Sequence, residues 1–200
     1  MSFLNLNSFV PLTLAEGPGR RFCLWTQGCL RSCPGCCNAQ MQPISPKLLI
    51  SSEDLCRKIK ASHEKNNLEG ITFLGGEPLL QAKGLAEVAS FAKSIGLTVM
   101  VFTGYVYEKC LKNPLPGVLQ LFQNTDVLID GPFIKNQYDN VRNWVGSCNQ
   151  RFIYLTDSYG PSIETDKKYS GIVEIRIPPG KMQINGCPKT IADFPIRSKK

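Results

Sequence analysis

The sequence predicts an α/β fold built on a parallel sheet, and three observations carry that expectation. Short continuous apolar runs alternate with segments of helical period, the pattern of repeated strand–helix units. Several of these runs end in glycine-rich turns, at the strand ends where such a sheet places its ligand. The chain has 200 residues, 42% of them hydrophobic, with 17 glycines and 14 prolines scattered rather than bunched. That suits one compact domain with an ordinary buried core.

Residues 1–21 hold short apolar stretches broken by Pro11 and by Glu16-Gly17-Pro18-Gly19, which predicts a strand or arm leading into a loop. Phe22–Thr26 reads as a first core strand whose end delivers the chain into a cluster of cysteines. After a loop containing Pro43 and Pro46, Ser51 or Ser52 can cap a helix running to about residue 67, with Leu55 and Ile59 on one face. Ile71–Leu74 is a continuous apolar run ending in Gly75-Gly76, as expected of a strand buried on both faces. Leu85, Val88, Ala89, Ala92 and Ile95 fall at helical spacing, and Gly96 follows as a C-terminal cap. Leu97–Phe102 predicts a third strand, residues 105–111 and 117–123 short helices, and Val127-Leu128-Ile129 a further strand. From Val173 to Ile177 apolar residues alternate with Glu174 and Arg176, marking a half-buried edge strand. Pro178-Pro179-Gly180 would turn it back into Met182–Ile184.

A formal charge of +7 draws the chain toward acidic partners, anionic cofactors or nucleic acid. The cations are spread along the chain rather than set in a stripe with interleaved aromatics, which argues against nucleic acid. No signal-like segment opens the sequence and no apolar run approaches the ~20 residues of a membrane span, so a cytoplasmic protein without membrane contact is expected. Nine cysteines would suit a secreted disulfide scaffold, but the count is odd and five crowd into residues 23–37. That crowding points to a metal or iron–sulfur site.

Cys29, Cys33 and Cys36 form a C-x3-C-x2-C run in a loop containing Pro34 and Gly35, so three thiolates can converge on one small object. Three ligands on a four-iron cube leave one iron open for something else to bind. A structural zinc site with Cys23 or Cys37 as fourth ligand is the competing reading. Gly75-Gly76-Glu77-Pro78 directly follows a predicted buried strand: two glycines admit close backbone approach, Glu77 can brace the loop and Pro78 stiffens it. Both loops would face one mouth of the sheet. Asp130 ends an apolar strand, where a carboxylate needs a partner to offset its desolvation.

Between about Glu16 and Leu155 the chain resembles the radical S-adenosylmethionine superfamily, and within it the activating enzymes of anaerobic ribonucleotide reductase. The residues that carry the resemblance are GPG at 17–19, GC followed by CPGC within 28–36, GGEP at 75–78, TGY at 103–105, VLIDGPF at 127–133 and GSCNQR at 146–151. The resemblance implies an incomplete parallel (β/α)6 barrel and one 4Fe-4S cluster on Cys29, Cys33 and Cys36. S-adenosylmethionine would bind the open iron through its amine and carboxylate, with Gly75, Gly76, Glu77, Pro78, Thr103 and Asp130 beside it. An electron from flavodoxin or ferredoxin would cleave it to a 5'-deoxyadenosyl radical, and the partner would be a glycyl-radical enzyme. No residue is assigned a catalytic role beyond cofactor binding.

Two features depart from the family pattern. Cys37 stands where the activases carry tyrosine or histidine before asparagine, which opens an alternative C-x3-C-x3-C register; the CPGC spacing favours Cys36. Residues 158–200 extend beyond the compact activases, so the chain divides into a core of residues 1–157 and a C-terminal extension with a strand pair. The extension and the basic charge keep open a stand-alone radical enzyme acting on a peptide, nucleotide or RNA, and a cluster or zinc protein used for sensing is the non-enzymatic alternative. Cys56, Cys110, Cys148 and Cys187 read as free thiols rather than a second cluster, His63 as a solvated side chain, and Phe22 and Trp25 as core.

Overall fold

The computed structural model describes residues 2–177 and 182–186. The turn expected at Pro178-Pro179-Gly180 and the residues from Cys187 onward lie outside them. Strands β1 (Phe3–Thr13), β2 (Arg21–Thr26) and β3 (Leu48–Ser51) precede helix α1 (Ser52–Asn66). Then follow β4 (Gly70–Gly75), α2 (Ala82–Ser94), β5 (Thr98–Phe102), α3 (Tyr107–Lys112), α4 (Val118–Gln123), β6 (Val127–Asp130) and β7 (Arg151–Tyr154). A hairpin of β8 (Val173–Arg176) and β9 (Gln183–Gly186) closes the described chain.

Local signals account for most boundaries. Of the two candidate caps, Ser51 takes the role: its hydroxyl accepts from the Asp54 N–H at 3.0 Å and donates to the Asp54 carboxylate at 2.6 Å, which satisfies an orphan donor of the first turn. Gly96, in the left-handed region, follows α2 as expected. His63 departs from expectation, since its Nδ1 is buried without a hydrogen-bond partner among the described residues.

The main sheet has the order β3-β1-β2-β4-β5-β6-β7. Only its centre is parallel: β2, β4, β5 and β6 run together, while β1 is antiparallel to both β2 and β3, and β7 is antiparallel to β6. The all-parallel arrangement of the expected (β/α)6 barrel is therefore replaced by a mixed seven-stranded sheet. Connection length explains the difference. Residues 14–20 are too few for the crossover a parallel pair requires, and residues 131–150 return to β7 without an α-helix.

One face of the sheet packs under the helices, with Phe22, Leu24, Ile71 and Phe73 against Leu55, Ile59, Leu85, Val88 and Leu121. On the other face Cys23 and Trp25 join Val10 and Met41, and Met100, Val127 and Ile129 are covered by Val145 and Ile163. All six residues of β2 are buried in consequence. Contacts also cross residue 157: Tyr159 bonds Thr98 at 2.9 Å, and the Ser158 hydroxyl donates to Asp126 at 3.0 Å. The hairpin forms a sheet of its own and docks through side chains. Glu174 accepts from the Leu14 N–H at 2.8 Å, Arg176 donates to the Leu12 carbonyl at 2.7 Å, and Asn185 donates to Thr13 Oγ1 at 3.1 Å.

Candidate functional site

The four parallel strands end side by side, and four of the predicted motifs each follow one of them: the cysteine loop after β2, Gly75-Gly76-Glu77-Pro78 at the end of β4, Thr103-Gly104-Tyr105 after β5, and Asp130-Gly131-Pro132-Phe133 at the end of β6. The GPG segment at 17–19 lies at the opposite end of β2, where Gly17 makes room for Arg21.

Cys29, Cys33 and Cys36 are half-buried on one loop, and Cys37 is exposed. The loop turns through Ser32 and Gly35, both in the left-handed region, and the Cys36 N–H donates to the Cys33 carbonyl at 3.2 Å. Backbone amides reach two of the sulfurs: Arg31 N–H to Cys29 at 3.3 Å and Asn38 N–H to Cys36 at 3.4 Å. A hydrogen bond from Cys37 holds the Cys36 thiol down at about 6, whereas burial pushes Cys29 up.

Cys23 is completely buried on β2, packed with Val10, Trp25 and Met41, and burial pushes its thiol well above the usual range. Among the described residues no three His, Cys, Asp or Glu side chains converge as ligands of one ion. A tetrahedral site needs that convergence. A four-iron cube takes its thiolates at separate corners, and three half-exposed cysteines on one short loop suit that looser demand.

The GGEP turn is locked to the cysteine loop. Gly76 N–H donates to the Thr26 carbonyl at 2.8 Å and Glu77 N–H to the Gly28 carbonyl at 2.9 Å. A Cβ on Gly75 would stand 2.2 Å from Thr26 N, and one on Gly76 2.3 Å from Gly28 O. The close approach these glycines permit is thus made first by the chain itself. Glu77, 1% exposed, accepts from Leu79 N–H at 3.0 Å, Thr103 Oγ1 at 2.8 Å and Gly104 N–H at 2.8 Å. Burial pushes its carboxyl up to about 7, against the pull of those three donors. Pro78 opens the short 3₁₀ turn that follows.

Asp130 is fully buried, and its partner is Arg151, directly opposite on β7; the Tyr107 N–H also donates to it at 2.8 Å. The desolvation problem visible in the sequence is thereby answered within the protein. Arg151 ends the GSCNQR segment, so a conspicuous acid at one strand end and a conspicuous base at another were the available signal for the pair. Phe133 carried no such signal: its ring lies against both Gly35 of the cysteine loop and Gly146, and ties these loops together. Arg31 was equally silent, and its guanidinium sits over the Tyr105 ring at 5.3 Å.

A three-cysteine loop and a glycine turn at adjoining parallel-strand ends make an arrangement suited to a single iron–sulfur cluster. The family model for a 4Fe-4S single cluster domain matches residues 15–153. The anaerobic ribonucleoside-triphosphate reductase-activating protein of Enterobacteria phage T4 is 30% identical over 159 residues, covering 77% of this chain and 96% of that protein. Its counterparts in Escherichia coli K12 and Pasteurella multocida are 26% and 29% identical, covering 74% and 78% of this chain and 96% and 100% of theirs. The chain belongs to this family of single-cluster reductase-activating proteins. The crystal structure of QueE from Escherichia coli aligns with 51% of this chain and 53% of its own at 18% identity and a TM-score of 0.43, a likeness too low to bear on function.

Proposed function

We propose that this chain activates a glycyl-radical enzyme, with an anaerobic ribonucleotide reductase as the partner that its relatives favour. Cys29, Cys33 and Cys36 would hold one 4Fe-4S cluster, with Asn38 and Arg31 amides stabilising the thiolate charge. When bound and reduced by a flavodoxin or ferredoxin, the cluster supplies the electron that cleaves S-adenosylmethionine to methionine and the 5'-deoxyadenosyl radical, which takes a hydrogen atom from a backbone glycine of the partner.

The observation that supports this reading is the locking of the GGEP turn onto the start of the cysteine loop, so that a cofactor held by the turn would lie beside a cluster held by the cysteines. Because the Gly76 and Glu77 amides are already engaged, the turn's carbonyl oxygens are what it can offer the cofactor's amino group. Glu77 and Thr103 hold that turn against the TGY loop, so their role is to orient. Asp130, paired with Arg151, steadies the end of β6 on the far side of the mouth. The protein's contribution is placement of the reacting atoms and exclusion of competing reactions.

The test is to mix the reconstituted, reduced chain with S-adenosylmethionine and the partner reductase without oxygen. A glycyl-radical resonance on the partner together with 5'-deoxyadenosine is expected. Cofactor consumption on a peptide or nucleotide, with every glycyl-radical enzyme of the source organism silent, would transfer the assignment to a stand-alone radical enzyme.

A further inference from the structure

The cysteine loop is tied to the GGEP turn on one side through backbone hydrogen bonds, but its other side needs a fastening too. Between Cys29 and Cys33 the chain projects outward and reverses at Ser32, a non-glycine residue in the left-handed region. Arg31, immediately before that reversal, is exposed, yet its side chain folds back onto the turn after β5. Its side chain lies over Gly104, where an added Cβ would stand 3.0 Å from Arg31 Cγ and 3.6 Å from its Nε. Its guanidinium continues over the face of Tyr105. The same hypothetical Cβ would lie 3.4 Å from Glu77 Oε2, so cation, ring and carboxylate surround one glycine. Gly104 also donates its N–H to Glu77 at 2.8 Å, which makes this residue the meeting point of the β4 turn, the β5 turn and the cysteine loop.

We infer that Arg31 is a positioning residue: it latches the cysteine loop to the TGY turn and so fixes how Cys29, Cys33 and Cys36 stand toward the GGEP turn. The inference rests on the cofactor assignment proposed above. Two attractions act together in the latch. The cation sits on the negative face of the ring, and it faces the carboxyl group of the buried Glu77 brace. Lysine would preserve both with less contact over the ring, and alanine neither.

The experiment uses the full chain, reconstituted with iron and sulfide without oxygen, as wild type, Arg31→Ala, Arg31→Lys and Tyr105→Leu. Iron content, S-adenosylmethionine affinity by titration calorimetry, and the shift of the reduced cluster's paramagnetic resonance on adding S-adenosylmethionine are read for each. The alanine variant should keep its iron, bind the cofactor roughly tenfold more weakly and show a diminished resonance shift. Lysine should restore most of the affinity, and Tyr105→Leu should reproduce part of the loss. Wild-type affinity and an unaltered resonance shift in Arg31→Ala would overturn the latch, as would loss of iron from both Arg31 variants, which would make the residue a determinant of loop folding instead. If wild type itself binds no S-adenosylmethionine, the proposed function fails, an outcome separate from either result for Arg31.

Discussion

At the scale of single residues, the cysteine register is the sharpest issue. Cys36 is half-buried and receives an amide hydrogen bond from Asn38, whereas Cys37 is exposed and hydrogen-bonds to its neighbour. Replacing Cys29, Cys33 or Cys36 by alanine should abolish the cluster, and Cys37→Ala should leave iron content largely intact. Loss of iron in the Cys37 variant with retention in the Cys36 variant would reverse the register. Glu77 carries a second residue-level expectation. Its folded value of about 7 lies above the ordinary 4.5, because burial outweighs three donors. The folded state therefore holds this proton more tightly than the unfolded one. Its contribution to stability is full below pH 4.5 and is lost as the pH rises through about 7. Thermal midpoints should fall across that window in wild type and fall less in Glu77→Gln; equal slopes would mean that Glu77 is ionised throughout.

Elements show where local reasoning serves and where it stops. The helices follow from periodicity and caps, and the GGEP turn was placed correctly at the end of a buried strand. Its glycines were read as room for a ligand, yet the nearest neighbours of a Gly76 Cβ are Gly28 and Met41 backbone atoms at 2.3 to 2.7 Å. Gly76→Val should consequently lower both S-adenosylmethionine affinity and iron content, since the side chain would lever the cysteine loop off the turn. Full iron content with lost affinity would show instead that the loop can yield while the ligand cannot. Strands β3 and β7, four residues each, were not anticipated: neither has the length or alternation that marks a strand before its partner is known.

For the molecule as a whole, the question is whether the chain beyond residue 157 is an appendage. The family model ends at residue 153, but the following residues complete the second core. Arg21 is fully buried, and among the described residues no carboxylate is a hydrogen-bond partner; its guanidinium donates to Thr72 Oγ1 at 2.6 Å, to Thr98 Oγ1 at 3.1 Å and to Tyr159 at 3.3 Å. Ile163 is buried against Met100 and Ile129, and burying such a side chain contributes roughly 1.5–3 kcal/mol. A chain ended after Asp157 should therefore lose its cooperative thermal transition, whereas one ended after Gly171 should keep it and lose only the hairpin. An unchanged transition in the shorter chain would show that residues 158–171 merely lean on a finished fold.

Taken by itself, the sequence determined the α/β class, the order of the main helices and central strands, the cysteine triad and the turn that accompanies it. These rest on signals within a few residues: hydrophobic period, caps, glycine turns and thiol spacing. Tertiary structure decided the direction of the outer strands and the partners of every critical side chain. Glu77 with Thr103, Asp130 with Arg151, Arg21 with Tyr159 and Arg31 with Tyr105 are each brought together from separate elements by the sheet. The physical reason is that a buried charge declares its need for a partner locally, but which partner answers it depends on strand order and register, and these are set only when the whole sheet closes its long-range pairs.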